Sequence, residues 1–330
     1  MILLLNYIQN VFEKLLSFIF SVNFLILIFL IINIYHVLLY LFRDRNFLKN
    51  LKKFEDVSVE SISQLNEILP ITIIIPAWKE GENLKQCLNS INKLNYPKIK
   101  VILNAGGSNE TIKIADSYKT NHKFTVIHQK AGGGKLRAIN DCLKYASKGI
   151  IYLIDADILL DDKILLAMIY PLVNGKENIV IASVIPHSSI ISNDVVKYLY
   201  INRNSGFRKK FIRYFYGFAS NAIIRPEVIE AIEGFSEKTL LDDGRTTQKD
   251  LASKGYKSFR LVDYKIQSLT YPTNIKEYLN QNIRWIENFL YFSIKKRKFS
   301  IIKFIGVEIL SIFFLFLPLI NDLPYSLILY

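Results

Sequence analysis

Cysteine is nearly absent from this chain, with Cys87 and Cys142 as the only two examples in 330 residues. Neither lies in a CxxC pair or at metal-ligand spacing from a histidine, so the sequence offers no cysteine-based zinc site. Each falls in a segment with helical periodicity, which favours two reduced and partly buried thiols. Internal repeats and low-complexity stretches are missing as well, so the fold has to be sought in ordinary strand and helix patterns.

An excess of acidic residues is also missing, because 42 lysines and arginines face 29 aspartates and glutamates, for a formal net charge of +13. A basic chain can bind nucleic acid, anionic lipid or phosphorylated substrates. The location of the basic residues distinguishes between these partners. The basic residues concentrate beside long apolar runs, at Arg43–Lys53 and Lys295–Lys298. Basic clusters at such places set membrane topology and contact lipid headgroups. We therefore expect membrane lipid as a partner and no nucleic acid.

Two apolar runs predict membrane segments near the ends of the chain. Ser21–Phe42 has 22 residues. As a helix it covers about 33 Å, enough for a hydrocarbon core of about 30 Å. The run is too long for a cleaved signal peptide, and no small-residue cleavage site follows it. A second run, Lys303–Ile320, is rich in isoleucine, leucine and phenylalanine. We accordingly assign residues 1–45 and 299–330 to membrane segments, without fixing the number of spans.

The residues between these runs are expected on the cytosolic side of the cell membrane. Both basic clusters flank them, and the positive-inside rule places such flanks in the cytosol. Residues 46–69 are predicted to form a basic linker. Residues 70–273 have the composition of a globular domain of about 200 residues, which is large enough to bury a core. The whole protein is thus predicted to be bitopic or multi-pass, with a cytosolic central domain.

Strand and helix patterns alternate along the central domain. Five apolar runs predict strands at Ile71–Ala77, Lys100–Asn104, Phe124–His128, Ile150–Ile154 and Ile179–Val184. Segments with helical spacing lie between them, as at Glu82–Leu94, where apolar residues recur every three or four positions. This alternation predicts an α/β fold with a mostly parallel sheet and helices on both faces. Ligands of such sheets bind at the carboxyl ends of the strands.

The fourth predicted strand ends in Asp155-Ala156-Asp157. Carboxylates two residues apart on an extended chain project to the same side. A pair of them at the carboxyl edge of a sheet suits a hard divalent cation and the diphosphate that the cation neutralises. Taken alone, the pair is also compatible with an ordinary strand-end turn, where aspartate is common.

Four further segments accompany the aspartate pair: Pro76-Ala77-Trp78-Lys79-Glu80 after the first strand, Gly134-Lys135 at a helix start, Asp242-Asp243 before a helix, and Gln281-Asn282-Ile283-Arg284-Trp285 near the second basic cluster. In this order they resemble the family 2 glycosyltransferases, which have a GT-A fold. The Gln-x-x-Arg-Trp motif is similar to that of the membrane-integrated branch, which includes cellulose, chitin and hyaluronan synthases and ceramide glucosyltransferases. The resemblance covers about residues 70–290.

The resemblance implies that Pro76, Ala77 and Glu80 belong to a donor site, with the Glu80 carboxylate near the nucleotide base. The alternative is a plain strand-to-helix turn with a solvated glutamate. Lys135 matches a lysine that contacts phosphate or base. A lysine at a helix start, behind a glycine-rich turn, suits an anion through its charge and through free N–H groups. The alternative there is a flexible turn with an exposed lysine.

The same resemblance places Asp155 near the ribose or sugar and makes Asp157 the ligand of a divalent metal, Mg²⁺ or Mn²⁺. Asp242 and Asp243 stand where the family has an acidic pair. Asp243 matches the catalytic base, which takes the proton of the acceptor hydroxyl. A helix predicted at Thr246–Lys254 supplies the alternative, since an aspartate near its start also suits a helix cap.

Residues 274–298 are predicted to form an interfacial helix. Gln281, Arg284 and Trp285 lie about one turn apart and share one face of it. The resemblance implies that Gln281 and Arg284 meet the diphosphate or the acceptor, and that Trp285 lines the acceptor end. The alternative is a helix that lies on the membrane with an aromatic belt and takes no part in chemistry.

Two positions depart from the family pattern. Lys79 stands where asparagine is usual. Gly106, just after the second predicted strand, stands where an aspartate usually contacts the uracil ring. UDP is therefore only the default nucleotide of the expected donor.

The sequence supports one leading function and two rivals. We expect an inverting, metal-dependent hexosyltransferase that moves a sugar from a nucleotide-diphosphate sugar to a lipid-linked or cell-surface glycan acceptor. The first rival is a processive polysaccharide synthase of the same family, for which the few predicted spans require a homo-oligomer. The second is a non-catalytic membrane protein that binds a nucleotide sugar or acts as a scaffold.

Overall fold

A computed structural model describes residues 56–204, 213–216, 218, 221–236 and 244–295, together with some positions between 10 and 38. The chain divides into two compact units, Met1–Lys53 and Phe54–Tyr330, and the α/β domain belongs to the second. The predicted membrane run Lys303–Ile320 lies outside the described residues, and so does Ser21–Phe42 apart from a few positions. In the part of the chain that the structure covers, no helix combines the length and apolar character needed to cross a bilayer.

The first half of the domain alternates strand and helix: β1 Ile71–Trp78, α1 Glu82–Asn92, β2 Ile99–Gly106, α2 Asn109–Ser117, β3 Lys123–His128, α3 Gly134–Leu143 and β4 Ile150–Leu153. The second half is less regular: β5 Ile158–Leu159, α4 Asp162–Val173, β6 Ile179–Pro186, α5 Asp194–Asn204, β7 Tyr214–Phe215, β8 Ala222–Ile224, α6 Pro226–Ala231, α7 Gly244–Ser253, β9 Ser258–Ser268 and α8 Ile275–Lys295. Each of the five predicted strands is present, with bounds that move by at most two residues.

The strands of the described residues form one sheet in the order β3-β2-β1-β4-β8-β6-β9-β5, with β7 paired to β9 outside this path. Strands β3, β2, β1 and β4 are parallel neighbours, as the alternating pattern predicts. The short strand β8 runs antiparallel to both β4 and β6. Beyond it, β6 and β9 are parallel again. A parallel half of the sheet is therefore joined to a mixed half.

Apolar side chains cover both faces of β1, β2 and β4, which explains why β1 is an almost continuous apolar run, whereas β3 at the edge of the sheet is only partly buried. Ile73 and Ile75 of β1 pack in the cluster that includes α1 and α4, whereas Ile74 packs with α3 and α7. Cys87 and Cys142 are buried free thiols, one in each cluster. Burial raises the pKa of Cys142 to about 12. Both cysteines lie in helices, as the sequence predicts, but they are fully rather than partly buried.

The described part of the predicted linker packs on the domain. A short 3₁₀ turn, Ile62–Gln64, precedes β1. Val59 and Leu65, on either side of that turn, are buried in the apolar cluster that contains Ile73. The burial of these two side chains means that residues 56–69 add to the core of the domain.

Asp56, at the start of residues 56–69, contacts β9 through its side chain. Its side chain is only 1% exposed, and Oδ1 lies 3.0 Å from Nη1 of Arg213, itself 10% exposed. Oδ2 accepts hydrogen bonds from the backbone N–H groups of Val262, at 2.6 Å, and Asp263, at 2.8 Å. The Arg213 guanidinium also lies 4.7 Å from the ring centroid of Phe259. The buried carboxylate thus faces one cation through Oδ1 and accepts two backbone hydrogen bonds through Oδ2, which offsets part of its desolvation cost.

Candidate active site

Acidic side chains gather where the carboxyl ends of β1 and β4 meet. The two strands are parallel neighbours, with Ile71 opposite Ile150. Residues that follow them therefore emerge at the same edge of the sheet. Glu80 follows β1, while Asp155 and Asp157 follow β4. The topology brings Glu80 close to the two aspartates although it is distant from them in the sequence.

Asp155 forms an ion pair with Lys135, since Nζ of the lysine lies 2.5 Å from Oδ1 of the aspartate. The two side chains are 25% and 31% exposed, so the pair is partly desolvated. The backbone N–H of Asp155 donates to Oδ1 of Asn221, which is buried. Lys135 lies in the first turn of α3, where the described residues provide neither a side-chain cap nor an acidic side chain. The helix start thus combines an ammonium group with an N-cap residue, Gly133, that makes no side-chain cap, an arrangement that favours anions.

Asp157 is held by the end of β9. Ser268 Oγ donates a hydrogen bond of 2.7 Å to Oδ2 of Asp157, and the backbone N–H of Leu269 donates one of 2.8 Å to its carbonyl oxygen. The antiparallel pairing of β5 with β9, which sets Ile158 opposite Ser268, creates this contact. Burial raises the pKa of Asp157, and the Asp155 charge raises it further, although the hydrogen bond from Ser268 acts in the opposite direction.

Glu80 completes the acidic group. The pKa of its carboxyl is raised, first by burial and then by the negative charges of Asp157 and Asp155, while the Lys135 ammonium lowers it. The hydroxyl of Thr111, a fully buried residue of α2, donates to the carbonyl oxygen of Glu80 and fixes the backbone there. The three carboxyl groups repel one another in a partly desolvated site, and an added cation reduces that repulsion.

The chemistry of these donors suits a hard divalent cation. Carboxylate oxygens are preferred ligands of Mg²⁺ and Mn²⁺, and Mg²⁺ typically takes one or two carboxylates together with waters and substrate phosphates. Among the described residues, no three acidic, histidine or cysteine side chains converge closely enough to hold an ion by themselves. Asp157, with Asp155 beside it, therefore fits a cation whose coordination is completed by a bound diphosphate.

The raised pKa of Asp157 makes stability depend on pH. The ionised carboxylate is buried at a cost above the folded-state pKa, and the cost vanishes as the pH falls toward the ordinary value of 3.8. In EDTA, we expect the melting temperature of the wild type to rise relative to Asp157→Asn as the pH is lowered from neutral toward the ordinary value of 3.8. The change should be about 2–4 °C for each kcal/mol of that cost.

The matched control for this pH series is Asp194→Asn, because the Asp194 side chain is 95% exposed. Its melting temperature should follow that of the wild type at every pH. A difference between wild type and Asp157→Asn that stays constant with pH would contradict the burial of an ionised Asp157.

The remaining predicted site residues of the domain are Pro76, Ala77, Asp242 and Asp243. Pro76 and Ala77 lie in β1, and Ala77 is fully buried, so both shape the strand end that leads to Glu80. Asp242 and Asp243 lie outside the described residues, directly before α7. Their assigned roles stay predictions.

Helix α8 contains Gln281, Arg284 and Trp285, as the sequence predicts. Tyr278, near the start of the helix, packs against buried residues of α5. Four apolar side chains of α8 are 43–68% exposed: Ile275, Leu279, Ile283 and Ile286. Their spacing of three or four residues places them along one stripe of the helix.

Gly106 leaves no room for the acidic side chain that the family has at this position. It ends β2 and pairs with Trp78 of β1. A Cβ added here would lie 2.9 Å from both Cβ and the backbone oxygen of Gln129, and 3.0 Å from Cζ3 of Trp78. Glycine in place of the family's aspartate therefore fits the packing here, because backbone and an aromatic ring occupy the space that a larger side chain would need.

For this reason, we expect that an aspartate introduced at position 106 will not fit. We expect Gly106→Asp to destabilise the domain by about 1–3 kcal/mol, the usual cost of overpacking. It should not tighten the binding of UDP. Urea unfolding and calorimetric titration with UDP measure the two effects. Ser108→Asp is the control, because Ser108 caps α2 and aspartate caps a helix equally well. An unchanged unfolding midpoint for Gly106→Asp would contradict the close packing.

Sequence reasoning missed Asn221 and Ser268. They lie 66 and 111 residues away from the aspartates that they contact. Neither belongs to a motif with a characteristic spacing, and only the pairing of β4 with β8 and of β5 with β9 brings them to the site. No local signal could have identified them.

Ligands of mostly parallel α/β sheets bind at the carboxyl ends of the strands, where this domain has its carboxylates and Lys135. Residues 72–233 match the family described as Glycosyl transferase family 2. This stretch of the chain is thus a glycosyltransferase family 2 domain.

Comparison with individual proteins agrees with this result. Poly-beta-1,6-N-acetyl-D-glucosamine synthase of Staphylococcus epidermidis is 30% identical over 117 residues, which cover 35% of this chain and 28% of that protein. The synthase of the same name from Staphylococcus aureus strain COL is 28% identical over 142 residues, which cover 42% and 33%. The matched region therefore spans about a third of the length of these curated relatives.

One solved structure extends the comparison to the fold. A mannosyltransferase from Pyrobaculum calidifontis, in complex with GDP-Man and Mn²⁺, has a TM-score of 0.56 to this chain at 21% sequence identity. The superposition covers 79% of this chain and 72% of that one. The likeness supports a GT-A-like α/β fold, as the sequence resemblance implies.

Proposed function

We propose that this protein is an inverting, metal-dependent glycosyltransferase that moves a sugar from a nucleotide-diphosphate sugar to an acceptor hydroxyl. One observation carries the proposal. Within a glycosyltransferase family 2 domain, the Lys135–Asp155 ion pair lies at an uncapped helix start. Asp157 follows Asp155 by two residues at the same strand end.

The donor side needs positive charge for a diphosphate. Lys135 and the first N–H groups of α3 supply it, since charge-assisted bonds to phosphate are among the strongest hydrogen bonds in proteins. A Mg²⁺ or Mn²⁺ ion held by Asp157 would neutralise the departing nucleoside diphosphate. Asp155 orients Lys135 through the ion pair and, by the family resemblance, lies near the ribose or sugar.

The acceptor side needs a base. In our proposal Asp243 takes the proton of the acceptor hydroxyl, whose oxygen attacks C1 of the sugar from the face opposite the diphosphate. The new bond forms at C1 as the bond from C1 to the phosphate oxygen breaks, so the configuration at C1 inverts. Gln281 and Arg284 contact the diphosphate or acceptor, Trp285 lines the acceptor end, and Asp242 assists substrate binding.

The acceptor is proposed to be lipid-linked or a cell-surface glycan at the cytosolic face of the cell membrane. The exposed apolar stripe of α8 supports this, because amphipathic helices lie in the membrane interface. The predicted membrane segments Ser21–Phe42 and Lys303–Ile320 would keep the domain there. A processive polysaccharide synthase is the second candidate, favoured by the names of the two staphylococcal relatives.

A screen of nucleotide sugars tests the proposal. Membrane fractions containing the protein are incubated with Mn²⁺ and a panel that begins with UDP-GlcNAc, the donor that the names of the relatives suggest. The products are identified by mass. One added sugar per acceptor supports single transfer, and a ladder of products supports the processive synthase. Failure of every donor to yield product or free nucleotide would favour the non-catalytic scaffold and overturn the proposal.

A further inference from the structure

Ser268 has a fixed place at the end of β9. Its strand runs between β6 and β5, with Pro186 opposite Ser268 on one side and Ile158 opposite it on the other. The backbone N–H of His187 donates a hydrogen bond of 2.8 Å to the Ser268 carbonyl oxygen. The residue is only 4% exposed. Because strands on both sides hold its backbone, a shift of Ser268 would disrupt the pairing of β9 with two neighbours.

The Ser268 hydroxyl is directed toward Asp157. The backbone N–H of Thr270 donates to the hydroxyl oxygen at 3.2 Å and occupies one of its lone pairs. Two acceptors lie within reach of the single hydroxyl proton: Oδ2 of Asp157 at 2.7 Å and the carbonyl oxygen of Thr270 at 3.0 Å. The shorter bond goes to a carboxylate, and charge-assisted hydrogen bonds are about twice as strong as neutral ones. The hydroxyl therefore donates to Asp157 and limits the rotation of its carboxylate.

A second contact joins the end of β9 to the start of α1. Nδ2 of Asn83, in the first turn of α1, donates a hydrogen bond of 3.2 Å to Oγ1 of Thr270. Glu80 lies three residues before Asn83, in the connection between β1 and α1. The residues at the end of β9 thus contact Asp157 on one side and the helix that follows Glu80 on the other. They support the acidic group through hydrogen bonds without adding a charge to it.

We infer that Ser268 is a positioning residue for the divalent cation, because its hydroxyl holds the Asp157 carboxylate in the orientation that binds the metal. The inference rests on the proposed function, in which Asp157 holds Mg²⁺ or Mn²⁺. Ser268 acts through Asp157 rather than on the substrate. Carboxylates that bind metals are themselves hydrogen-bonded in this way, and loss of such a partner typically lowers metal affinity by about 10–10²-fold.

Ser268→Ala tests this role, because it removes the hydroxyl and leaves the charge of Asp157 in place. We expect the Kd for Mn²⁺ to rise by about 10–10²-fold. Electron paramagnetic resonance of free Mn²⁺ measures binding to the full chain, with Mn²⁺ alone and with UDP or GDP added. Asp157→Asn defines the background of a site without its ligand. Ser117→Ala is the matched control, because it removes an exposed hydroxyl that donates within α2, and it should bind Mn²⁺ as the wild type does.

Two further measurements separate the effect of the hydroxyl from a loss of structure. Ser268→Thr keeps the hydrogen-bond donor and suits a β-strand, so its Kd for Mn²⁺ should stay within about threefold of the wild-type value. In transfer assays, Ser268→Ala should raise the KM for Mn²⁺ by the same factor as the Kd. Its kcat at saturating Mn²⁺ should stay within about threefold of the wild-type value. A misfolded variant would not recover its rate when metal is added.

The outcomes distinguish this inference from the proposed function. If the wild type binds Mn²⁺ no more tightly than Asp157→Asn in any of these conditions, the metal of the proposed function is wrong, and the role of Ser268 is wrong with it. If the wild type binds Mn²⁺ and Ser268→Ala binds it equally well, the positioning role alone is wrong and the proposed function stands. Equal losses in Ser268→Ala and Ser268→Thr would also contradict the role, because the hydroxyl then does not set the metal affinity.

Discussion

Replacing Asp243 with asparagine is expected to lower kcat for sugar transfer by about 10²–10⁴-fold, the usual contribution of a general base. An amide cannot take the proton of the acceptor hydroxyl, whereas the donor contacts of Lys135 and Asp157 remain. The Kd for the nucleotide should therefore stay within about twofold of the wild-type value. Initial rates with saturating donor and calorimetric titration with nucleotide measure the two quantities.

Asparagine also separates the two hypotheses for this position. It caps a helix as well as aspartate does. If Asp243 only caps α7, Asp243→Asn leaves kcat and stability unchanged, and that result would contradict the base. Asp250→Asn, farther along α7, is the control for loss of one negative charge on this helix, and we expect wild-type rates for it.

Arg213→Met is expected to destabilise the domain by about 3–5 kcal/mol, because it leaves the buried Asp56 carboxylate without its cation. Two backbone donors, from Val262 and Asp263, remain but do not neutralise the charge. Urea unfolding, followed by circular dichroism, measures the loss.

A second substitution should restore much of that stability. Asp56→Asn in the Arg213→Met background removes the uncompensated charge and keeps an oxygen for the two backbone donors. Glu82→Gln is the control, because the Glu82–Lys85 pair is 3.8 Å long and well exposed, and such pairs contribute at most about 1 kcal/mol. Equal unfolding midpoints for wild type and Arg213→Met would show that the Asp56–Arg213 pair does not anchor residues 56–69 to the domain.

The parallel half of the fold could be predicted because three of its strands, β1, β2 and β4, are buried on both faces. β1 is an almost unbroken run of buried residues, so the sequence marks it without help from its neighbours. In the mixed half, the sequence predicts β6 but misses the other strands. β8 has three residues, and β5 and β7 have two each. Runs this short carry no periodicity, and they become strands only because β4, β6 and β9 offer them partners.

The residues of the candidate site also divide into those that the sequence marks and those that it does not. Asp155 and Asp157 stand out because they close a buried strand, and Lys135 because it opens a helix behind glycines. These three side chains come together only because of the topology of the sheet. The sequence indicated their proximity only through the family resemblance. The contacts of Ser268 and Asn221 are set by pairings between distant segments, so the local sequence around them contains no sign of either.

The central claim is that Lys135, Asp155 and Asp157 form the donor site of a glycosyltransferase. Release of nucleoside diphosphate from nucleotide sugars, measured with Mn²⁺ and with EDTA for wild type and Asp157→Asn, tests it most directly. The wild type should turn over at least one nucleotide sugar in Mn²⁺ only, and Asp157→Asn should reduce that rate by about 10²-fold or more. Equal rates for the two proteins, or the same wild-type rate in EDTA, would contradict the account.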